Sequence, residues 1–151
     1  MILNADLREF LGLLNDRGVE YVIVGAHCLA FHAEPRYTGD LDIFIRPTPE
    51  NAARIVETLR EFGFGDSGAD VNAFTEPEQV IQLGRVPNRI DLLTSLSGVD
   101  VEESFATKVP AELDGIPVFV LSKQLLVKNK RATGRPQDIA DVALLESAGE
   151  A

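Results

Sequence analysis

The sequence predicts an α/β fold, a short mixed sheet with helices packed chiefly on one face. Two observations carry this. Short apolar runs rich in β-branched residues, such as Tyr21 to Val24, alternate along the chain with segments whose apolar residues recur at helical spacing. The chain has no internal repeats and no low-complexity stretch. At 151 residues, with 45% apolar and 25% charged content, it is long enough to bury a core and fits a single domain over residues 1–151. Helices at about 122–147 are expected to pack on that domain, and Pro47 and Gly63 read as internal punctuation, not linkers.

Each element has a local reason. Leu7, Phe10, Leu11 and Leu14 lie on one helical face, and Gly18 closes that helix at about Asn15. Tyr21 to Val24 is a buried strand. Ala26 to Ala33 is a short helix ended by Glu34-Pro35. A second strand runs to Ile45. Thr48-Pro49 pairs a cap with a first-turn proline, opening a helix through Ala52, Ile55, Val56 and Leu59 to Phe62. Gly63 to Ala73 reads as a loop. Val80 to Leu83 and Arg89 to Leu93 read as strands joined by a turn at Pro87-Asn88, and Val101 to Ala106 as a short helix. Val109 to Leu113 and Val118 to Leu121 form a hairpin around Asp114-Gly115. Ser122 caps a helix to about Ala132, and Pro136 opens a last one to about Ser147.

Chemistry enters at Asp40 and Asp42. They sit on the second strand, Asp40 fifteen residues after Gly25, which leads the turn out of the first. Residues i and i+2 of a strand share a face, so the two carboxylates project side by side, with Cα atoms roughly 7 Å apart. Leu41 and Ile43 point the other way, into the core. Like charges on one face repel unless a cation sits between them, and a divalent metal is the usual answer. The bland alternative is a solvated strand face or a strand-end turn. A third acid, Asp91, interrupts the apolar run Ile90 to Leu93. Its plain reading is a salt bridge with Arg89. If its strand lies beside that of Asp40, three carboxylates converge, as two-metal phosphoryl chemistry requires.

Other motifs carry less. Gly63 to Gly68 spells G-x-G-x-x-G, but a helix precedes it and no helical period follows, the reverse of a dinucleotide fingerprint. No P-loop is present, and the residues flanking the Asp pair do not suit a haloacid-dehalogenase-type phosphatase. His27 and His32, five apart, do not share a helix face as a ligand pair would. Cys28, the single cysteine, lies in an apolar helical stretch and reads as inert core; it excludes an intramolecular disulfide. From Leu121 to Asp141 several cations cluster in a chain of net charge −10. A helix C-terminus complementing its dipole explains such a run. The alternative has Lys130 reaching phosphate oxygens while Asp138 and Asp141 pair with neighbouring cations. The acidic balance argues against duplex DNA as a partner and suits a nucleotide held through metal. No apolar stretch is long enough for a membrane span and the N-terminus lacks signal-peptide character, so a cytoplasmic protein without a membrane partner is expected.

In order along the chain, Gly25-Ala26, Arg36-x-Thr38-x-Asp40-Leu41-Asp42, Arg89-Ile90-Asp91 and Lys130 through Asp138 resemble a large bacterial family of small nucleotidyltransferase-like proteins. That family is similar to abortive-infection toxin nucleotidyltransferases and, more distantly, to minimal nucleotidyltransferase antitoxins. The resemblance covers most of the chain. It implies a polymerase-beta-like nucleotidyltransferase fold, Mg²⁺ or Mn²⁺, an NTP donor, and transfer of a nucleotidyl group to a hydroxyl on RNA, protein or a small molecule. It implies Asp40 and Asp42 as metal ligands, Asp91 as the third carboxylate, Gly25 with Ala26 as the phosphate-side turn, and Lys130 as a phosphate contact. Arg36 and Thr38 match positions beside the site. Ala26 departs from the Gly or Ser preferred there, leaving only a backbone N–H for phosphate. Two readings stay open: an enzyme, toxin-like in context, or an inert antitoxin-like interaction module with a cognate toxin or antitoxin partner. The three filled acidic positions favour the first and Ala26 the second.

Overall fold

Strand β1 (Tyr21–Val24) lies inside the sheet, and all four of its side chains are buried. In the computed structural model the described residues are 5–33, 40–63, 70–84 and 89–148. Around β1 stand α1 (Ala5–Asp16), α2 (Gly25–His32), β2 (Leu41–Ile45) and α3 (Pro49–Phe62). There follow β3 (Val80–Leu83), β4 (Ile90–Leu93), α4 (Val101–Ala106), β5 (Val109–Leu113), β6 (Ile116–Val120), α5 (Lys123–Thr133) and α6 (Pro136–Ser147). The six strands run in the order β3-β4-β2-β1-β6-β5. β1 is antiparallel to β2 and parallel to β6, and β2 is parallel to β4. The two outer pairs are antiparallel. The sheet is therefore mixed, as the sequence predicts.

The local signals act where they stand in the sequence. Thr48 accepts a hydrogen bond from the Asn51 N–H at 3.3 Å and Pro49 occupies the first turn of α3, which ends at Gly63 in the left-handed region. Ser122 caps α5 through the Leu125 N–H at 3.2 Å. Asp114 (φ 49°) and Gly115 (φ 82°) are both left-handed, the two-residue turn a tight hairpin needs. Pairing resumes at once, Leu113 opposite Ile116, so β6 starts two residues before the expected Val118 and takes in Pro117. The expected loop from Gly63 to Ala73 gives way to a 3₁₀ turn at Val71–Phe74, started by Asp70 and anchored by the fully buried Phe74. Four residues are too few to show a helical period. The expected turn at Pro87-Asn88 and most of the glycine-rich Gly63 to Gly68 stretch lie outside the described residues.

Packing fixes the sheet against its helices. Leu7, Phe10, Leu11 and Leu14 form the buried stripe of α1, and Phe10 meets Phe62 of α3 at 5.2 Å between ring centroids. Each large apolar side chain taken fully out of water contributes about 1.5–3 kcal/mol. Leu41, Ile43 and Ile45 of β2 are 0% exposed, the core face the alternation predicts. On the opposite face of β2, Phe44 packs against Phe105 of α4 at 5.5 Å, and Arg46 lies over the same ring at 5.0 Å. Cys28 is buried, its thiol pushed up to about 12 by burial, so it is the inert core residue expected. Among the described residues no helix is long and apolar enough to cross a membrane.

Candidate functional site

The register of β2 and β4 creates the acidic cluster. The strands are parallel, with Asp42 directly opposite Asp91. Opposed residues share a face, and Asp40, the residue before β2, joins them through Arg89, which bonds both Asp40 and Asp91. Here the sheet order settles what the sequence leaves conditional: the strand of Asp91 does lie beside that of Asp42. Asp91 is buried, 7% exposed.

Arg89, two residues before Asp91, points to the same side. Its Nη2 donates to Asp40 Oδ2 at 2.8 Å and to Asp91 Oδ2 at 3.3 Å, and its Nε stands 3.1 Å from Asp91 Oδ1. The last contact is an ion pair without hydrogen-bond alignment. Among the described residues, Asp91 Oδ1 and Arg89 Nε are buried atoms with no hydrogen-bond partner. The salt bridge that is the plain reading of Asp91 is therefore present, and it belongs to the acidic cluster.

Gly25 borders the cluster on the other side. It starts α2 at φ 67°, and a β-carbon built on it would lie 2.3 Å from Asp42 Oδ2. The turn admits only glycine, for backbone conformation and for space. Val24, the residue before α2, offers no side-chain cap, so the first N–H groups of α2, including that of Ala26, carry the helix's positive end without a side-chain acceptor from the cap.

Asp42 is pushed up to about 6. Burial is the main cause, followed by the charge and hydrogen bond of Asp91 and the charge of Asp40, with Arg89 opposing. Asp91 is thus the acidic neighbour that acts most strongly on Asp42. Among the described residues no three His, Cys, Asp or Glu side chains are drawn together as a ready-made cation site. Arg89 supplies the positive charge there instead. The donor set nonetheless fits a hard divalent cation: it offers carboxylate oxygens alone, among them Asp91 Oδ1, which is buried without a hydrogen bond.

The remaining expected residues are differently placed. Lys130 is 8% exposed, and its Nζ donates to Asp141 at 3.0 Å with Asp138 at 3.7 Å. Asp138 also accepts from Arg135 Nε at 2.8 Å and Thr133 Oγ1 at 2.7 Å, and the Arg135 bond holds its carboxyl well below the usual range. Lys130 thus takes part in an ion network joining α5 and α6, with Asp138 and Asp141 paired to neighbouring cations. Arg36 and Thr38 lie outside the described residues. His32 Nε2 is 2.7 Å from the Leu121 carbonyl. His27 is buried at 2% exposure, and burial lowers its imidazole against a hydrogen bond to the Asp40 backbone. Sequence reasoning missed this link to Asp40, since nothing in an i, i+13 spacing signals it. It also missed the Arg89–Asp40 bond, although the parity of Arg89 and Asp91 was a signal that could have found it. Surface hollows of about 520 Å³ beside Arg17, Arg54 and Glu61, and about 480 Å³ beside Pro77, Val80 and Ser97, take in none of these residues.

Comparison with known proteins bears on this arrangement. Residues 3–148 match the profile of the family described as "Nucleotidyl transferase of unknown function (DUF2204)". Among curated proteins none matches significantly. Several solved structures share the fold. A putative nucleotidyltransferase from Thermotoga maritima superposes with TM-score 0.59 at 17% identity, over 93% of this chain and 88% of that one. The antibiotic-resistance factor ANT(2'')-Ia, in complex with adenylyl-2''-tobramycin, gives TM-score 0.61 at 13% identity, over 93% of this chain and 86% of that one. The lincosamide antibiotic adenylyltransferase LnuA, lincomycin-bound, gives 0.59 at 12% identity, over 97% and 98%.

Proposed function

The chain belongs to this family of nucleotidyl transferases, and we propose that it moves a nucleotidyl group from an NTP to a hydroxyl acceptor with the help of Mg²⁺ or Mn²⁺. One observation carries the reading: Asp42 and Asp91 stand opposite each other on adjacent parallel strands, with Asp40 joined to Asp91 through Arg89. Asp40, Asp42 and Asp91 would hold the metal, which when bound neutralises charge on the phosphates and favours ionisation of the attacking hydroxyl. The chain's own groups do the rest. The N–H groups at the positive end of α2, behind Gly25 and Ala26, donate to phosphate oxygens. Asp91, whose Oδ1 accepts no hydrogen bond, takes the proton as the acceptor oxygen bonds to the α-phosphorus and pyrophosphate leaves. Arg36 and Thr38 are assigned to donor binding by the family resemblance alone. Lys130 acts on phosphate only if it leaves Asp141, so its first role is to hold α5 and α6 in place.

The acceptor is a hydroxyl compound. The relatives seen with an adenylylated aminoglycoside and with lincomycin favour a small molecule. Net charge −10 weighs against RNA, which a basic field would attract. A second reading, an inert antitoxin-like interaction module, draws on Ala26 and on the commitment of Lys130 to Asp141.

Thermal unfolding with Mg²⁺ and each NTP separates the two. The wild type should gain melting temperature with metal and nucleotide together. The Asp40→Asn/Asp42→Asn double variant should lose that gain, and label from an α-labelled NTP should pass to an acceptor in cell extract. A wild type that binds no NTP with either metal would end the enzymatic reading.

A further inference from the structure

We propose that Arg89 is the chain's own counter-cation at the acidic cluster: it holds the locus a divalent cation takes, and leaves it when that cation enters. The inference rests on the metal-dependent reading above. It starts from the ion pairs. Arg89 bridges Asp40 and Asp91 through its guanidinium, at 2.8 Å and 3.1–3.3 Å. Among the described residues, other basic side chains pair elsewhere: Arg46 with Glu20 and Glu102, Lys130 with Asp141, Arg135 with Asp138. Both ion pairs of Arg89 are with the cluster.

A hard cation that took the same carboxylate oxygens could not share them with a guanidinium at hydrogen-bond distance, because the two positive charges would meet. Metal entry therefore breaks at least one arm of the fork. The side chain has a way out, since it is 31% exposed and stands just before β4 begins. Once released, the planar guanidinium is a bidentate donor suited to a phosphate group. A triphosphate gives the displaced charge a partner. Metal alone must win its oxygens from Arg89, whereas metal arriving with a nucleotide meets no such opposition. Arg89 thereby makes metal binding depend on nucleotide.

The test is Mn²⁺ binding, followed by the free-ion electron paramagnetic resonance signal, with and without a methylene-bridged NTP analogue that cannot react. Without nucleotide, Arg89→Met should bind Mn²⁺ at least about ten-fold tighter than wild type, the low end for one lost charged contact. The nucleotide should tighten Mn²⁺ binding less in the variant than in the wild type. Equal or weaker Mn²⁺ binding by Arg89→Met overturns the proposal, while loss of wild-type binding in Asp40→Asn/Asp42→Asn shows that the metal reading itself survives. If the wild type binds no Mn²⁺ even with the analogue, both fall. Should Arg89→Met not fold, the wild type suffices. Its Arg89 Nε–H resonance should move when Mg²⁺ and the analogue are added together, and a resonance unmoved at saturation overturns the inference.

Discussion

Gly25 and Asp42 stand so close that a β-carbon at position 25 would sit 2.3 Å from Asp42 Oδ2. The turn into α2 and the acidic face of β2 are therefore built against each other. Gly18 offers an internal control, since it has the same φ of 67° but nothing within 4 Å of where its β-carbon would stand. Gly18→Ala should lose roughly 1–2 kcal/mol, the strain of a left-handed alanine. Gly25→Ala should lose more and should also lose metal- and nucleotide-dependent stabilisation, because Asp42 must move. Equal losses in melting temperature, with binding intact in both, would refute the contact's importance.

Asp42 makes stability fall as pH rises. Its folded value, about 6, lies above the ordinary 3.8, so the native state holds a proton the unfolded chain has released. The stabilising protonation is fully present below about pH 4 and is lost as pH climbs through 6. Without metal, Asp42→Asn should match wild type near pH 4 and exceed it at pH 8, by on the order of 1–3 kcal/mol. Urea melts at the two pH values measure this. A variant no more stable than wild type at pH 8 would show that the carboxylate is not crowded.

Asp91→Asn should separate chemistry from binding. Calorimetric NTP affinity should stay nearly unchanged while turnover drops by roughly 10²–10⁴, the usual range for a lost general base. Equal loss of affinity and turnover would make Asp91 chiefly a donor-side ligand.

Lys130 should behave as a structural ion. Removing one member of a buried pair strands the other charge, so Lys130→Met should cost about 3–5 kcal/mol. Adding Asp141→Asn should restore part of it. Arg131→Ala, which breaks the exposed pair with Glu146, should change stability by no more than about 1 kcal/mol. If Lys130→Met leaves the melting temperature unchanged but abolishes NTP binding, Lys130 is a phosphate contact after all.

Local chemistry determined much of this protein from the sequence alone. Thr48, Pro49, Ser122 and Pro136 start their helices, and Asp114-Gly115 makes its hairpin turn, because caps and turns depend on residues within a few positions of one another. The shared face of Asp40 and Asp42 is expected from strand parity for the same reason, and Gly25 is legible because a sharp turn after an apolar strand needs it. The tertiary structure alone decided what depends on distant pairing. Sheet order put β4 beside β2 and set Asp91 opposite Asp42, far away in the chain. It brought Arg89 to Asp40, gave His27 its contact with the Asp40 backbone, and buried Lys130 against Asp141 where the sequence predicts a surface helix end. A charged residue looks the same in sequence whether its partner is water, a phosphate or a buried carboxylate; only packing, which sets its desolvation and its neighbours, selects among them.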